Sequence, residues 1–147
     1  MNIKIRLAQP SDYMAIGNLI KNELSYADLN LDKAIERLKF MENDNNYCTF
    51  VALDTNMVVG FIGLMKGVGY EVDGMYAKIT ALAVNENYQR KGVGTQLNNQ
   101  VEKWASENEI TKIGLNSGIQ RKEAHKFYEK QGYHLKSYSF SKTLERK

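Results

Sequence analysis

The sequence LAVNENYQRKGVGT, from Leu82 to Thr95, combines an apolar strand end, a polar turn and two glycines at the start of a helix. Glycines in such a turn let the backbone curl so that successive N–H groups point at one anion, and the helix dipole adds to the attraction. The segment therefore predicts a cradle for a pyrophosphate group. A glycine-containing turn with a basic, solvated flank is the alternative that the segment alone leaves open.

Two common phosphate-binding patterns do not match this turn. In the Walker pattern a lysine follows the second glycine, whereas Lys91 precedes Gly92 here. In the Rossmann fingerprint a third glycine stands three residues after the second, and that position is Leu97. The sequence thus argues against a nucleoside-triphosphate loop and against dinucleotide binding.

The pattern on either side of the turn predicts a mixed α/β fold. Alternating apolar residues predict strands at residues 3–7, 47–53, 57–65 and 76–84, with the second and third joined as a hairpin. Helical spacing predicts helices within residues 11–24, 31–41, 92–107 and 121–131. A short strand follows at residues 112–116, and residues 133–144 have the period of one or two terminal strands. Antiparallel hairpins therefore precede a βαβα unit.

Composition limits the class of protein. The 147 residues suit one domain, residues 1–147, and 43% hydrophobic with 25% charged residues is typical of a globular chain. The single Cys48 excludes an internal disulfide framework and favours a cytoplasmic setting, and no metal-ligand spacing stands out. No segment has the length of a membrane span or the pattern of a signal peptide. The net charge of +3 lacks the basic block expected of a nucleic-acid-binding protein.

A second motif follows in residues 115–133, which contain Leu115-Asn116-Ser117-Gly118 and then Arg121-Lys-Glu-Ala124-His125-Lys-Phe127-Tyr128-Glu-Lys-Gln-Gly132-Tyr133. Together with Gln89, Gly92 and Gly94, this order resembles the Gcn5-related N-acetyltransferases (GNAT). Their patterns are Q/R-x-x-G-x-G/A at a helix start, and A-x-x-F-Y followed by G-F/Y. The resemblance implies a mostly antiparallel sheet of six to seven strands with splayed central strands, flanked by about four helices.

The resemblance also implies acetyl-coenzyme A as the cofactor. The pantetheine arm would lie along the backbone of the central strand, the N–H near Val84 would face the thioester oxygen, and Tyr128 would protonate the leaving thiolate. The residues that the resemblance places against the coenzyme are Leu82, Ala83, Val84, Gln89, Arg90, Lys91, Gly92, Val93, Gly94, Thr95, Asn116, Arg121, Ala124, Phe127 and Tyr128.

The resemblance implies direct acetyl transfer to a primary amine of a small molecule in a ternary complex. Many relatives have a glutamate base on the central strand, but residues 78–82, KITAL, contain no carboxylate. This absence leaves open an acetyl-coenzyme A sensor or a degenerate family member. The chain bears a weaker similarity to bacterial aminoalkylphosphonate acetyltransferases, with aminoglycosides or protein amino groups as other acceptors. Weak acceptor-binding candidates are Glu23, Tyr26, Glu71 and Asp73; residues 133–144 offer an edge for a possible homodimer.

Overall fold

The computed structural model describes residues 1–145, which divide into two compact units. The first unit, Met1–Leu115, contains all five strands that these residues form, and the second begins at Asn116. In the first unit the elements are β1 (Ile3–Leu7), α1 (Tyr13–Glu23), α2 (Leu31–Glu42), β2 (Tyr47–Asp54), β3 (Met57–Gly67), β4 (Met75–Val84), α3 (Val93–Glu107) and β5 (Ile110–Leu115). The second unit contains α4 (Lys122–Lys130). Short 3-10 helices at Pro10–Asp12 and Glu86–Tyr88 precede α1 and α3.

The five strands form one mixed sheet in the order β1-β2-β3-β4-β5. The first four are antiparallel neighbours and β4 pairs with β5 in parallel, as the change from hairpins to a βαβ unit predicts. The predicted hairpin between β2 and β3 is confirmed, with Thr55 at a φ of 58° in its turn. The mixed α/β fold and the four α-helices of residues 1–145 also agree with the sequence-based prediction.

Helices cover both faces of the sheet. Buried Ile16 of α1 and Leu38 of α2 pack in one cluster with Phe61 of β3. The neighbouring position, Gly60, points to the opposite face, where a Cβ built on it would meet Leu97 and Val93 of α3 at 3.4 Å. Glycine at position 60 therefore lets α3 approach the sheet closely, and this packing fixes the start of α3 beside the end of β4.

The predicted number of six to seven strands is wrong for the described residues. Residues 133–145 form neither helix nor strand, although their alternating pattern predicts one or two strands. Leu135, Tyr138 and Phe140 are each about nine-tenths exposed or more. A period of two marks residues that can form a strand, but the strand needs a neighbouring ladder for its hydrogen bonds and a face to bury. None of the strands in residues 1–145 pairs with this segment.

Candidate active site

The outer edge of β4 is free over its last five residues. Parallel pairing with β5 runs from Met75 opposite Ile110 to Ile79 opposite Leu115 and stops there. Antiparallel pairing with β3 continues on the other side as far as Val84. Within the part of the chain that the structure describes, Thr80–Val84 thus has a strand partner on one side only. An extended ligand with amide groups can hydrogen-bond to such an edge as an added strand does.

A β-bulge lies where the free edge begins. Gly63 of β3 is opposite Ala81, and the next residue, Leu64, is opposite Ile79, so Thr80 is the extra residue of β4. Bulges bend a strand and increase its twist. The bend coincides with the point at which β5 ends, and this is the place at which the two parallel strands part.

The glycine turn leads directly into α3. Gly92 is the N-cap of α3 with a φ of 87°, a left-handed conformation that suits glycine, and Arg90 before it has a φ of 63°. Val93, the first helical residue, is almost completely buried and anchors the turn. A Cβ built on Gly92 would meet no atom within 4 Å, so the space in front of the turn is open. Backbone N–H groups in the first turn of a helix lack intrahelical acceptors, which suits this opening to an anion.

The side chain of Gln89 braces the turn. Its Nε2 donates to the Val84 carbonyl oxygen at 2.9 Å and to Glu23 Oε1 at 3.3 Å. Glu23 Oε2 also accepts from the backbone N–H of Glu86 at 3.2 Å. The carboxylate predicted as an acceptor-binding candidate is therefore engaged in holding the turn to the end of α1, and the Gln89 side chain ties the turn to β4.

The basic flank of the turn is exposed. Arg90 and Lys91 both lie at the surface, and Lys91 Nζ lies 5.7 Å from the centroid of the Tyr88 ring. The Tyr88 hydroxyl donates to Asp54 Oδ2 at 2.7 Å, which holds the ring against the end of β2. The lysine charge is thus kept near the turn by a cation–π contact rather than by a carboxylate.

The second unit carries the remaining predicted coenzyme residues. Asn116 and Arg121 are exposed in the loop before α4, while Ala124, Phe127 and Tyr128 are half-buried on the helix. The Tyr128 ring makes edge contacts with Phe127 at 5.5 Å and with Tyr133 at 6.0 Å between ring centroids. Burial raises the pKa of the Tyr128 phenol, and the nearby charge of Arg121 opposes this rise. The phenol therefore keeps its proton at neutral pH and can donate it.

His125 supports the loop before α4. Its Nε2 lies 2.8 Å from the carbonyl oxygen of Gly118, seven residues earlier in the chain. A hydrogen bond of this kind links the start of α4 to the loop before it and encloses Arg121. The contact gives His125 a structural role in this part of the chain.

The comparison with protein families decides the class of this site. Residues 15–133 match the model of the acetyltransferase (GNAT) family. The chain belongs to this family. The free edge of β4, the glycine turn at α3 and the aromatic cluster on α4 are therefore features of a GNAT protein.

Two curated relatives agree with the family. The chain is 28% identical over 118 residues to the uncharacterized N-acetyltransferase YhdJ of Bacillus subtilis (strain 168), covering 80% of this chain and 82% of that protein. It is 30% identical over 134 residues to the aminoalkylphosphonate N-acetyltransferase of Salmonella typhimurium (strain LT2), covering 91% of this chain and 84% of that protein.

Solved structures show the same fold. An aminoglycoside acetyltransferase from an uncultured soil metagenomic sample, in complex with sisomicin, superposes with a TM-score of 0.86 at 23% identity, and 97% of each chain is covered. The aminoglycoside N-acetyltransferase AAC(6')-Iy in complex with CoA also superposes with a TM-score of 0.86, at 13% identity, over 99% of this chain and 96% of that chain.

A cavity of about 240 Å³ lies between the first two helices and the sheet of this GNAT protein. Helix α2 contributes Ala34, Arg37, Leu38 and Met41, which recur at the spacing of one helix face. The bulge contributes Gly63, Thr80 and Ala81, next to the free edge of β4.

Of the four acceptor-binding candidates from the sequence, Tyr26 lines this cavity. Glu23 lines a separate, smaller pocket of about 170 Å³, and Glu71 and Asp73 are exposed in the loop between β3 and β4. The sequence analysis missed Arg37 and Thr49, which line the larger cavity together with Thr80. For Arg37 a signal was present, because it lies three residues after the buried Ala34 on the apolar face of α2.

Cys48 has the properties of a structural residue in β2. Burial raises the pKa of its thiol to about 11, and the charge of Lys66 offsets only part of this rise. At neutral pH the thiol is therefore almost entirely protonated, and a protonated thiol is a poor nucleophile. None of the helices in residues 1–145 is long and apolar enough to cross a membrane.

Proposed function

We propose that this protein is an N-acetyltransferase that moves an acetyl group from acetyl-coenzyme A directly to a primary amine of a small molecule, with residues 1–147 acting as a single domain. The observation that carries the proposal is the free edge of β4, which leads into the left-handed glycine turn of α3. A strand edge suits the amide-bearing pantetheine arm, and the helix N-terminus suits the pyrophosphate. Both features lie on one continuous stretch of chain, residues 80–95.

The backbone of residues 82–95 would hold the coenzyme. The free edge of Leu82, Ala83 and Val84 orients the arm, and the turn from Gln89 to Thr95 binds the pyrophosphate. Exposed Arg90 and Lys91 add positive charge beside the turn. When bound, acetyl-coenzyme A supplies an activated acetyl thioester. The N–H near Val84 would donate a hydrogen bond to the thioester oxygen and stabilise the negative charge that develops there during transfer.

The remaining catalytic and coenzyme-binding roles are assigned to residues that follow β5. On the family motif that it matches, Tyr128 would donate its Oη proton to the sulfur that the amine displaces from the thioester. Asn116, Arg121, Ala124 and Phe127 are assigned to coenzyme contacts, on the family motif that they match. The side chains that line the larger cavity include neither a carboxylate nor a histidine. We therefore propose that water accepts the proton that the amine loses.

The transfer is proposed to proceed without an acetylated enzyme. Cys48 is the only cysteine, and its raised pKa makes it a poor nucleophile. A Cys48→Ala variant is therefore expected to keep its turnover, and initial rates are expected to fit a ternary-complex rate law. A ping-pong pattern, or loss of turnover in a Cys48→Ala variant that still folds, would contradict direct transfer.

The relatives support two classes of acceptor. One relative is an aminoalkylphosphonate N-acetyltransferase and one structural neighbour is an aminoglycoside acetyltransferase. A small primary amine is the leading class, with aminoglycosides second. The absence of a carboxylate in residues 78–82 keeps a coenzyme sensor as the second candidate function.

One experiment separates these functions. Purified protein is mixed with acetyl-coenzyme A, and thiol release is measured over small amines, polyamines, aminoglycosides and peptides, alongside thermal stabilisation by the coenzyme alone. Acetyltransferase function predicts both stabilisation and amine-dependent thiol release. Stabilisation with no release over the whole panel indicates a sensor. The absence of stabilisation contradicts coenzyme binding itself.

A further inference from the structure

The larger cavity has an unusual charge distribution for a site that receives an amine. Its lining is apolar except for Tyr26, Arg37, Thr49 and Thr80, and Arg37 is the only charged residue among the described residues that line it. An ammonium group seated deep in this cavity would meet no carboxylate. The cavity therefore lacks the electrostatic match that a polycationic acceptor requires.

Arg37 is available for a ligand. Arg37 is exposed, and within residues 1–145 its side chain has neither a hydrogen-bond partner nor an ion-pair partner. A guanidinium group presents a planar fork of donors that matches a carboxylate or a phosphonate with two parallel hydrogen bonds. Its neighbours on the helix face, Ala34 and Leu38, are buried, and an arginine stem beside such residues can pack on apolar surface while its charged end stays accessible.

The opposite wall of the cavity adjoins the proposed coenzyme site. Thr80 and Ala81 line the cavity, and Ala81 directly precedes Leu82, the first residue of the edge that we assign to the pantetheine arm. A ligand that binds Arg37 at one end can therefore extend across the cavity and bring its other end toward β4. A volume of about 240 Å³ lies below the usual range for drug-sized ligands, which indicates a short molecule.

We propose that the acceptor is a short amine that carries an acid group, a carboxylate or a phosphonate, and that Arg37 binds this group. The proposal rests on the acetyltransferase function proposed above, because it names the acceptor of that reaction. Arg37 is then the specificity-determining residue, and the apolar walls and the two threonines enclose the short chain that joins the acid to the amine. An aminoglycoside, with several ammonium groups and no acid, is a poor match for the same cavity.

The test compares three acceptors of similar length that differ at one end, namely 3-aminopropanoate, 2-aminoethylphosphonate and 3-amino-1-propanol. Thiol release is measured for the wild type and for Arg37→Gln, Arg37→Lys and Lys39→Gln. Lys39→Gln is the matched control, because it removes one positive charge from the same helix at an exposed position outside the cavity.

The expected result is a kcat/KM at least roughly ten-fold higher for one of the acids than for the alcohol, since hydrogen bonds to charged groups are strong. This ratio is expected to fall toward one in Arg37→Gln through a higher KM for the acid, to recover partly in Arg37→Lys, and to stay at the wild-type level in Lys39→Gln. The acid with the larger ratio distinguishes carboxylate from phosphonate. A wild type that prefers the alcohol, or a ratio unchanged in Arg37→Gln, would overturn the proposal.

A binding measurement separates this proposal from the function on which it rests. If no amine is acetylated, the same three compounds are titrated calorimetrically into protein saturated with coenzyme A. Acid binding that is lost in Arg37→Gln would support the role of Arg37 while the acetyltransferase function fails. Equal binding of acid and alcohol, or no binding of either, would contradict the role of Arg37.

Discussion

Tyr128 combines two properties that a proton donor needs at neutral pH. Its ring is held by edge contacts with Phe127 and Tyr133, so the phenol has a defined orientation. Burial raises its pKa against the opposing influence of Arg121, so the phenol keeps its proton at neutral pH. Both properties come from aromatic packing at positions 127, 128 and 133.

Tyr128→Phe is expected to lower kcat by at least roughly ten-fold, because the leaving sulfur loses its proton donor while the ring packing is kept. The affinity for coenzyme A is expected to change little. The measurement is steady-state turnover at several pH values, with coenzyme affinity from calorimetry. Tyr138→Phe removes a hydroxyl from an exposed ring outside this cluster and is expected to keep turnover near the wild-type value. Equal turnover of Tyr128→Phe and wild type at every pH would remove Tyr128 from the mechanism.

Motif residues could be predicted from sequence more readily than the use of their side chains. Gln89, Gly92 and Tyr128 were identified from local patterns, and the structure places Gly92 at the left-handed N-cap that its type suggests. The two hydrogen bonds of the Gln89 side chain depend on Glu23 and Val84, which are brought near only by the fold. Arg37 lies in no motif, and its place in the cavity depends on how α2 packs against the sheet.

At the scale of elements, the β4–α3 connection is held from both ends. Gln89 ties it to the carbonyl of Val84, and buried Val93 ties the start of α3 to the sheet. Between these two points Arg90 and Gly92 have positive φ angles, and Gly92 faces open space. The connection therefore holds its shape without filling the space in front of it.

Gly92→Ala is expected to weaken coenzyme A binding by at least roughly ten-fold, because a methyl group would occupy the space through which the pyrophosphate approaches the backbone. The left-handed φ of 87° also costs alanine about 1 kcal/mol, which lowers Tm by about 2–4 °C in a chain of this size. Calorimetric titration and thermal unfolding measure the two effects separately.

Gly132→Ala is a matched control for this change. Gly132 has a φ of 95° and, like Gly92, a Cβ built on it would meet no atom within 4 Å. The same backbone strain is therefore expected to lower Tm by a similar amount with little change in coenzyme affinity. A similar loss of affinity in both variants would show that backbone strain, and not the space in front of the turn, governs binding.

Elements that rest on local signals were predicted well, and those that need a distant partner were not. Helix α3, predicted at residues 92–107, is Val93–Glu107, because capping and apolar spacing are contained in that segment. Residues 133–144 have the alternation of a strand, yet pairing depends on a free edge elsewhere in the fold. The same limit applies to the bulge at Thr80, which requires the register of β3 against β4.

At the scale of the whole molecule, stability depends in part on an ion pair between Arg6 and Asp12 that joins β1 to the start of α1. Arg6 donates to both carboxylate oxygens of Asp12, at 2.7 and 3.1 Å, and the Gln9 N–H donates to Oδ2 at 2.8 Å. Burial of Asp12 alone would raise the pKa of its carboxyl group. The hydrogen bonds from Arg6 and Gln9 outweigh this effect, and the pKa is lowered. The charged form of Asp12 therefore stabilises the fold.

Asp12→Asn is expected to lower the free energy of unfolding by about 1–3 kcal/mol at pH 7, since it removes a charge-assisted pair from a buried position. A lowered pKa means that this stabilisation is complete above the unfolded value of about 3.9 and is lost as the pH falls through the folded pKa below it. The difference in the free energy of unfolding between wild type and variant should therefore shrink as the pH falls. Urea unfolding from pH 7 to pH 3 measures it, with Asp28→Asn, in an exposed turn, as the control. A gap independent of pH would contradict the assignment.

The β4–β5 pairing ends at Ile79, so on the proposed function the coenzyme would supply the second neighbour of the remaining half of β4. Amide hydrogen exchange would then divide this one strand at a single residue. From Tyr76 to Ile79 both neighbours are protein, and exchange should be slow with or without coenzyme. From Thr80 to Val84 the outward amides should exchange quickly in the free protein and slow on binding. Bound coenzyme would thus provide the hydrogen-bond partners that this half of β4 lacks in the free protein.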